Sequence, residues 1–206
     1  VEANQSLDRV LVAMRAIPGV ADAAASGGGL PAAAGMAKGH ARNTPGGEAV
    51  FAGFRGVSES YHRLLGVAIR RGRDIAETDA LGGVDVAVIN ETLARALFAE
   101  QDPIGRTVYV TGAELPYQIV GIAADRQNAG LRTPPEPEVV VSLRQMGFGA
   151  GTLLVRWAET PPDGWAKLLA ASHLKMRRRD EAIHKSSRCS PLLIAQATRV
   201  ADGRRE

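Results

Sequence analysis

Residues 84–106, VDVAVINETLARALFAEQDPIGR, constrain the fold more than any other stretch. Residues 84–89 (Val-Asp-Val-Ala-Val-Ile) form a short apolar, β-branched run that suits a strand covered on both faces. Asn90 can cap a following helix, and Glu91 in its first turn favours the positive end of the helix dipole. Leu93 and Leu97 lie one turn apart, as do Ala94 and Phe98, so the helix carries a narrow apolar stripe that should pack on the sheet. Asp102-Pro103 and Gly105 stop the helix, and a strand over 107–111 follows. These residues specify a folding unit of an α+β or α/β domain. They place no nucleophile beside a base and no cluster of metal ligands.

A chain of 206 residues can bury a full core, as one domain or two small ones. Aromatic residues make up only 4%, so that core must be built from Ala, Val, Leu and Ile. The positive charge is uneven: residues 171–206 hold nine Lys and Arg against four acids, while the preceding 170 residues are slightly acidic. The high pI therefore belongs to the tail and does not mark the folded part as a nucleic-acid binder. The single cysteine, Cys189, excludes an intrachain disulfide and a cysteine-built metal site. No run approaches the ~18 apolar residues of a membrane span, and no signal segment opens the chain. The start at Val1 rather than Met reads as that of a fragment or excised domain, so membrane anchors in a parent protein stay open.

Taken in order, Leu7, Val10, Leu11 and Met14 recur at helical spacing, and Pro18-Gly19 closes the helix. Residues 20–25 read as a strand of small residues, 27–31 as a glycine-rich loop without a phosphate-binding signature, and 35–48 as a long connection. Residues 49–57 alternate as a strand, with Val50, Ala52 and Phe54 on one face. Ser58 can cap a short helix over 59–65 with Tyr61, Leu64 and Leu65 inward, and Gly66 ends it. Residues 70–74 read as a charged turn in which Arg70, Arg71 and Arg73 pair with Asp74, Glu77 and Asp79. Strands are predicted at 117–123, 138–143 and 152–157, with a turn at 128–133, an extended linker at 134–137, a glycine-rich turn at 146–151 and a helix over 164–174. Beyond Lys175 the periodicity fails, and 175–206 reads as a basic tail, disordered or loosely attached.

The chemistry that can be tested by spacing gives nothing. His40, His62, His173 and His184 are too scattered to form a local ligand pair. Glu77, Asp79 and Asp85 lack the alternation of a calcium loop. Glu136 and Glu138 read as a pair of solvated charges at a sheet edge. There is no Gly-x-Ser-x-Gly elbow and no Gly-x4-Gly-Lys-Ser/Thr loop.

Several short pieces recur together: Ile17-Pro18-Gly19-Val20, Gly29-Leu30-Pro31, Val57-Ser58 with Tyr61-x3-Leu65-Gly66-Val67, Arg71-Gly72-Arg73-Asp74, Val86-Ala87-Val88-Ile89-Asn90-Glu91, Asp102-Pro103-Ile104-Gly105-Arg106 and Ile119-Val120-Gly121-Ile122. In this order, over about residues 7–157, they resemble the periplasmic core domain of MacB-type, FtsX-like ABC transporter permeases. The resemblance implies an α+β fold in two lobes: a porter-like α+β lobe from residues 1–65 and 131–174, and an inserted, mixed α/β lobe of residues 66–130. It implies an extracytoplasmic (periplasmic) domain of a cell-membrane protein, held between the first two membrane helices of a permease. No catalytic, cofactor-binding or metal-binding residues and no cofactor are expected. The implied partners are the permease's transmembrane helices, a second permease copy and an ATP-binding subunit or domain acting indirectly, with no nucleic acid. The implied role is mechanical, coupling transmembrane motion to export, with residues 134–137 and the Gly66 region as hinges. A family member should continue through another strand into a second membrane helix, whereas residues 175–206 supply a basic polar tail, as in a truncated or altered reading of the gene. The alternative is a soluble interaction module whose Arg177–Arg179 run binds an acidic partner or an anionic membrane surface; an enzyme with a site assembled from distant residues is a third reading.

Overall fold

The computed structural model describes residues 2–27, 37–110, 116–126, 133–146, 152–158 and 194–196. The glycine loop at 28–31, most of the turns at 128–133 and 146–151, and the helix over 164–174 lie outside the described residues.

Helix α1 (Glu2–Arg15) buries Leu7, Leu11 and Met14 as its periodicity requires. Strand β1 (Val20–Ser26) follows after Gly19 takes a positive φ of 87°. Next come β2 (Ala37–Arg42), β3 (Val50–Val57), the one-turn helix α2 (Tyr61–Leu65) and β4 (Ile69–Gly72). The central unit is β5 (Val86–Asn90), α3 (Glu91–Phe98) and β6 (Thr107–Val110), and it falls where residues 84–111 place it. Then β7 (Pro116–Ala123), β8 (Glu138–Ser142), the short helix α4 (Leu143–Met146) and β9 (Thr152–Trp157) complete the body. Within 175–206, only Ile194–Gln196 is described, as β10, running parallel to β9.

The strands β3, β2, β6, β7, β5 and β8 pair in succession, and β8 pairs back onto β3, so the ladder closes into a ring. Strand β4 lies on β7, and among the described residues β1 joins the ring at the single register pair Ser26–Val57. Beyond β1 lie β9 and β10.

Side-chain alternation sorts the apolar residues into three clusters. Ala87, Ile89, Val139 and Val141 join Tyr117, Ile119 and the α3 stripe of Leu93, Ala94, Leu97 and Phe98. Their neighbours Val86, Val88 and Val140 point the other way, towards Tyr61 and Leu64 of α2, Ala24 of β1 and Leu154 of β9. All five residues of both β5 and β8 are buried, which is why these strands read as continuous apolar runs. A third cluster lies between α1 and the opposite face of β1 and β9, with Ala23, Ala25, Leu153 and Val155.

Four local readings are corrected. The connection at 35–48 contains β2, whose sequence AKGHAR carries little strand preference; β3 on one side and β6 on the other supply its pairing. The charged segment at 70–74 begins as a strand rather than a turn, because Gly72 (φ 70°) and Gly121 let β4 and β7 approach where a Cβ on either would strike the other's backbone. Ser58 does not cap α2: its Oγ accepts the Ala25 N–H at 2.8 Å, and the helix starts at Tyr61 after Ser60 in the left-handed region. Glu138 is not on an edge, since β8 has β3 on one side and β5 on the other.

Candidate functional site

Among the described residues no group of three or more His, Cys, Asp or Glu side chains is placed to hold a metal ion. No helix there is long and apolar enough to cross a membrane. The polar chemistry is concentrated instead where β1 meets the ring, in two sets of charges.

The inner set surrounds Glu138. Its carboxylate accepts two bonds from Arg126, from Nη2 at 2.7 Å and Nε at 3.2 Å, and lies 3.5 Å from Arg55 Nε. Arg55 is fully buried on β3 and donates to Ser26 Oγ of β1 at 3.0 Å, so the crossing of the two strands is tied by a guanidinium as well as by backbone. The Arg126 guanidinium stacks over the Tyr61 ring at 5.4 Å. Burial, the largest influence, opposes its charge, but Glu138 and Tyr61 together outweigh it and raise its pKa. Burial also raises the Tyr61 phenol pKa, against the pull of Arg126 and Arg55. Asn90 anchors the same region: Oδ1 accepts from Leu93 N–H, as the cap of α3, and from Glu138 N–H, while Nδ2 donates to Asp125 Oδ1 and to the Glu136 carbonyl. Asp125 in turn accepts from the Thr92 N–H and hydroxyl and from Arg95.

The outer set joins α1 and β1 to α2, α4 and the loop after β4. Arg144, buried on α4, contacts Asp8 of α1 and Glu59, and lies 3.9 Å from Glu77. Glu59 also accepts from Arg15 at 3.1 Å. Asp22 of β1 meets Arg63 of α2 at 2.8 Å and Arg15 at 3.5 Å. Arg156 at the end of β9 donates to the Leu64 carbonyl at the C-terminus of α2, where a cation suits the helix dipole.

The residues singled out from sequence are dispersed around this junction. Arg73 pairs with Asp79 through two bonds, as expected, but Arg71 turns to Asp102 and Arg70 to Glu91. Of the histidines, His62 is buried with Nδ1 2.6 Å from Asp74 Oδ1, and His40 packs its ring against Phe51; His173 and His184 lie outside the described residues. The segment at 134–137 is stitched to its neighbours, through Gly53 N–H to the Pro137 carbonyl at 2.9 Å and Lys38 to Glu136 at 3.1 Å. Sequence reasoning missed Arg55, Arg126 and Arg144. Arg55 within an otherwise apolar, glycine-bearing strand is the one signal that could have pointed to a buried charge.

A family model of the MacB-like periplasmic core domain matches residues 2–165. The macrolide export ATP-binding/permease protein MacB of Aggregatibacter actinomycetemcomitans is 31% identical over 75 residues, 36% of this chain and 11% of that protein. The MacB protein of Vibrio parahaemolyticus is 28% identical over 135 residues, 63% of this chain and 20% of that protein. The chain thus spans a small part of these relatives' length. Among solved structures, the periplasmic region of MacB from Actinobacillus actinomycetemcomitans superposes with a TM-score of 0.58 at 16% identity, covering 86% of this chain and 82% of that one. The extracellular domain of the ABC-type transporter YknZ from Gram-positive bacteria does so with a TM-score of 0.56 at 18% identity, covering 82% of each. The α+β fold is therefore shared with these domains, and the match over residues 2–165 shows that the chain belongs to the MacB-like periplasmic core domain family.

Proposed function

We propose that this chain is the non-catalytic extracytoplasmic domain of an ABC transporter permease, and that it couples movement of the permease's transmembrane helices to export. ATP hydrolysis by an ATP-binding subunit or domain acts on it indirectly, and a second permease copy stands beside it. The alternative of a soluble module built on the basic tail is not favoured, because the family match ends at residue 165, before that tail.

The observation that carries the mechanical reading is the contrast between two kinds of connection. Among the described residues the ring's neighbouring strands share ladders of three to five register pairs, or two for β2–β6, whereas β1 meets β3 at the single register pair Ser26–Val57, flanked by the Gly27 N–H to the Gly56 carbonyl and the Ser58 N–H to the Ala25 carbonyl. A unit of α1, β1 and β9 can therefore rock on the ring with little loss of backbone hydrogen bonding. The two-lobed division is proposed accordingly. The β5–β8 and β2–β6 ladders join strands on opposite sides of the borders drawn at 65/66 and 130/131, and they favour an inserted lobe wider than residues 66–130, reaching from β2 to α4. We take the β1–β3 crossing as the pivot rather than residues 134–137, because that segment is bonded to its neighbours through Gly53 and Lys38.

Locking tests this. Asp8 and Glu77 approach the same Arg144 guanidinium from α1 and from the loop after β4. In the whole permease, Asp8→Cys and Glu77→Cys joined by a short bis-maleimide should abolish export while ATP hydrolysis continues, and the unlinked double variant should still export. Undiminished export in the crosslinked permease would rule the coupling role out.

A further inference from the structure

The outer charges differ from the inner ones in a way that assigns them separate parts in the motion. Around Glu138, Arg55 is 0% and Glu138 4% exposed at the side chain. Parting them would leave charges in a dry interior with no water to take the partner's place. Around Arg144 the partners reach solvent, Asp8 at 43% and Glu77 at 76%, and Arg15 opposite Glu59 at 36%. Water can replace each of these contacts as it opens, so parting the charges costs less than at Glu138, and opening must in addition bring Arg144 (7% exposed), Glu59 (16%) and the α1-facing side of Leu143 towards solvent.

Glu59 is central to the outer set. Oε1 accepts from Arg15 of α1 at 3.1 Å, and Oε2 lies 3.3 Å from Arg144 of α4, so one carboxylate bridges a guanidinium on the rocking unit and one on the ring side. It follows Ser58, whose N–H donates to the Ala25 carbonyl at 2.9 Å and whose Oγ accepts the Ala25 N–H. The carboxylate is thus fixed beside the pivot by backbone bonds that need not break. Asp22 adds a second bridge, from β1 to Arg63 of α2.

We propose that Glu59, with Arg15, Arg144 and Asp8, forms a polar latch that holds α1 closed against α4, and that the latch opens while the Ser26–Arg55–Glu138–Arg126 set stays intact as the pivot. This rests on the coupling reading and names the contacts that yield in it. The latch sets how often the open form is visited, and salt or the loss of one carboxylate shifts that population.

Spin labels on Val12→Cys of α1 and Phe51→Cys of β3, both on exposed side chains, in the full chain with Cys189→Ser, read the latch as a distance distribution. Glu59→Gln should raise the longer-distance population roughly twofold or more, and the milder Asp8→Asn should do so to a smaller extent. Raising salt from about 0.1 M to about 1 M, with Glu59 and Asp8 intact, shortens the screening length from ~10 Å to ~3 Å and should act in the same direction. A single narrow distribution, unchanged by both variants and by salt, would overturn the latch. If the distances respond but the crosslinked permease exports normally, the latch stands and the coupling role falls. If crosslinking stops export while the distances never respond, coupling stands without the latch.

Discussion

Glu138 carries more of the interior electrostatics than any other carboxylate in the described chain, since Arg55 and Arg126 both turn to it inside the junction. Removing its charge leaves buried guanidiniums without that counter-ion, so Glu138→Gln should cost about 3 kcal/mol. Glu136→Gln, at a half-exposed pair with Lys38, should change stability by less than about 1 kcal/mol. Urea unfolding of the two variants, compared by midpoint at equal slope, checks this. Sequence could not separate the two glutamates, which stand two residues apart in one segment. What separates them is that β3 and β5 flank β8, a fact set by residues some 50 and 85 positions upstream. Tyr61 makes the junction sensitive to alkali. Burial raises its folded pKa above the ordinary 10.0, so the folded state keeps its proton where the unfolded chain has lost it. That contribution to stability is complete below pH 10 and is lost as pH climbs through the folded value. Tyr61→Phe should therefore flatten the fall of unfolding free energy above pH 10, leaving the part that Tyr117, raised chiefly by burial, contributes.

The elements legible in the sequence are those whose signals are local. β5, α3 and β6 follow from an apolar run, the Asn90 cap and a Pro/Gly stop within 23 residues, and the structure uses each as expected. β2 and β4 were not legible, because neither has the apolar alternation of a strand and each exists through partners elsewhere in the chain. The β4 pairing depends on Gly121, where a methyl group would collide with the Arg73 carbonyl. Gly121→Ala should destabilise by about 2 kcal/mol. It should also strip hydrogen-exchange protection from the Arg73 amide, which donates to the Val120 carbonyl at 2.9 Å. An unchanged protection pattern would mean that β7 can shift to admit the methyl.

The described residues form a closed ring of strands with α3 packed on its interior cluster and a thinner unit of α1, β1 and β9 set on its outside. The α+β class and the family were open to sequence reading because many short matching pieces occur in one order, even though each is weak alone. The junction was not, because its charged residues come from β1, β3, α2, the segment after β7, β8 and α4 and meet only once the ring has closed. Apolar contacts of Ala24 and Leu154 with the ring's outer face, and of Leu143 with the α1 cluster, keep the two units associated, and the charges around them set how freely they move. The most direct measurement is the distance between spin labels on α1 (Val12→Cys) and β3 (Phe51→Cys) in the membrane-embedded permease, with and without ATP. Coupling predicts that nucleotide shifts the distribution and that the Asp8–Glu77 crosslink abolishes the shift. Identical distributions with and without ATP, in a permease that still exports, would contradict a mechanical role for this domain.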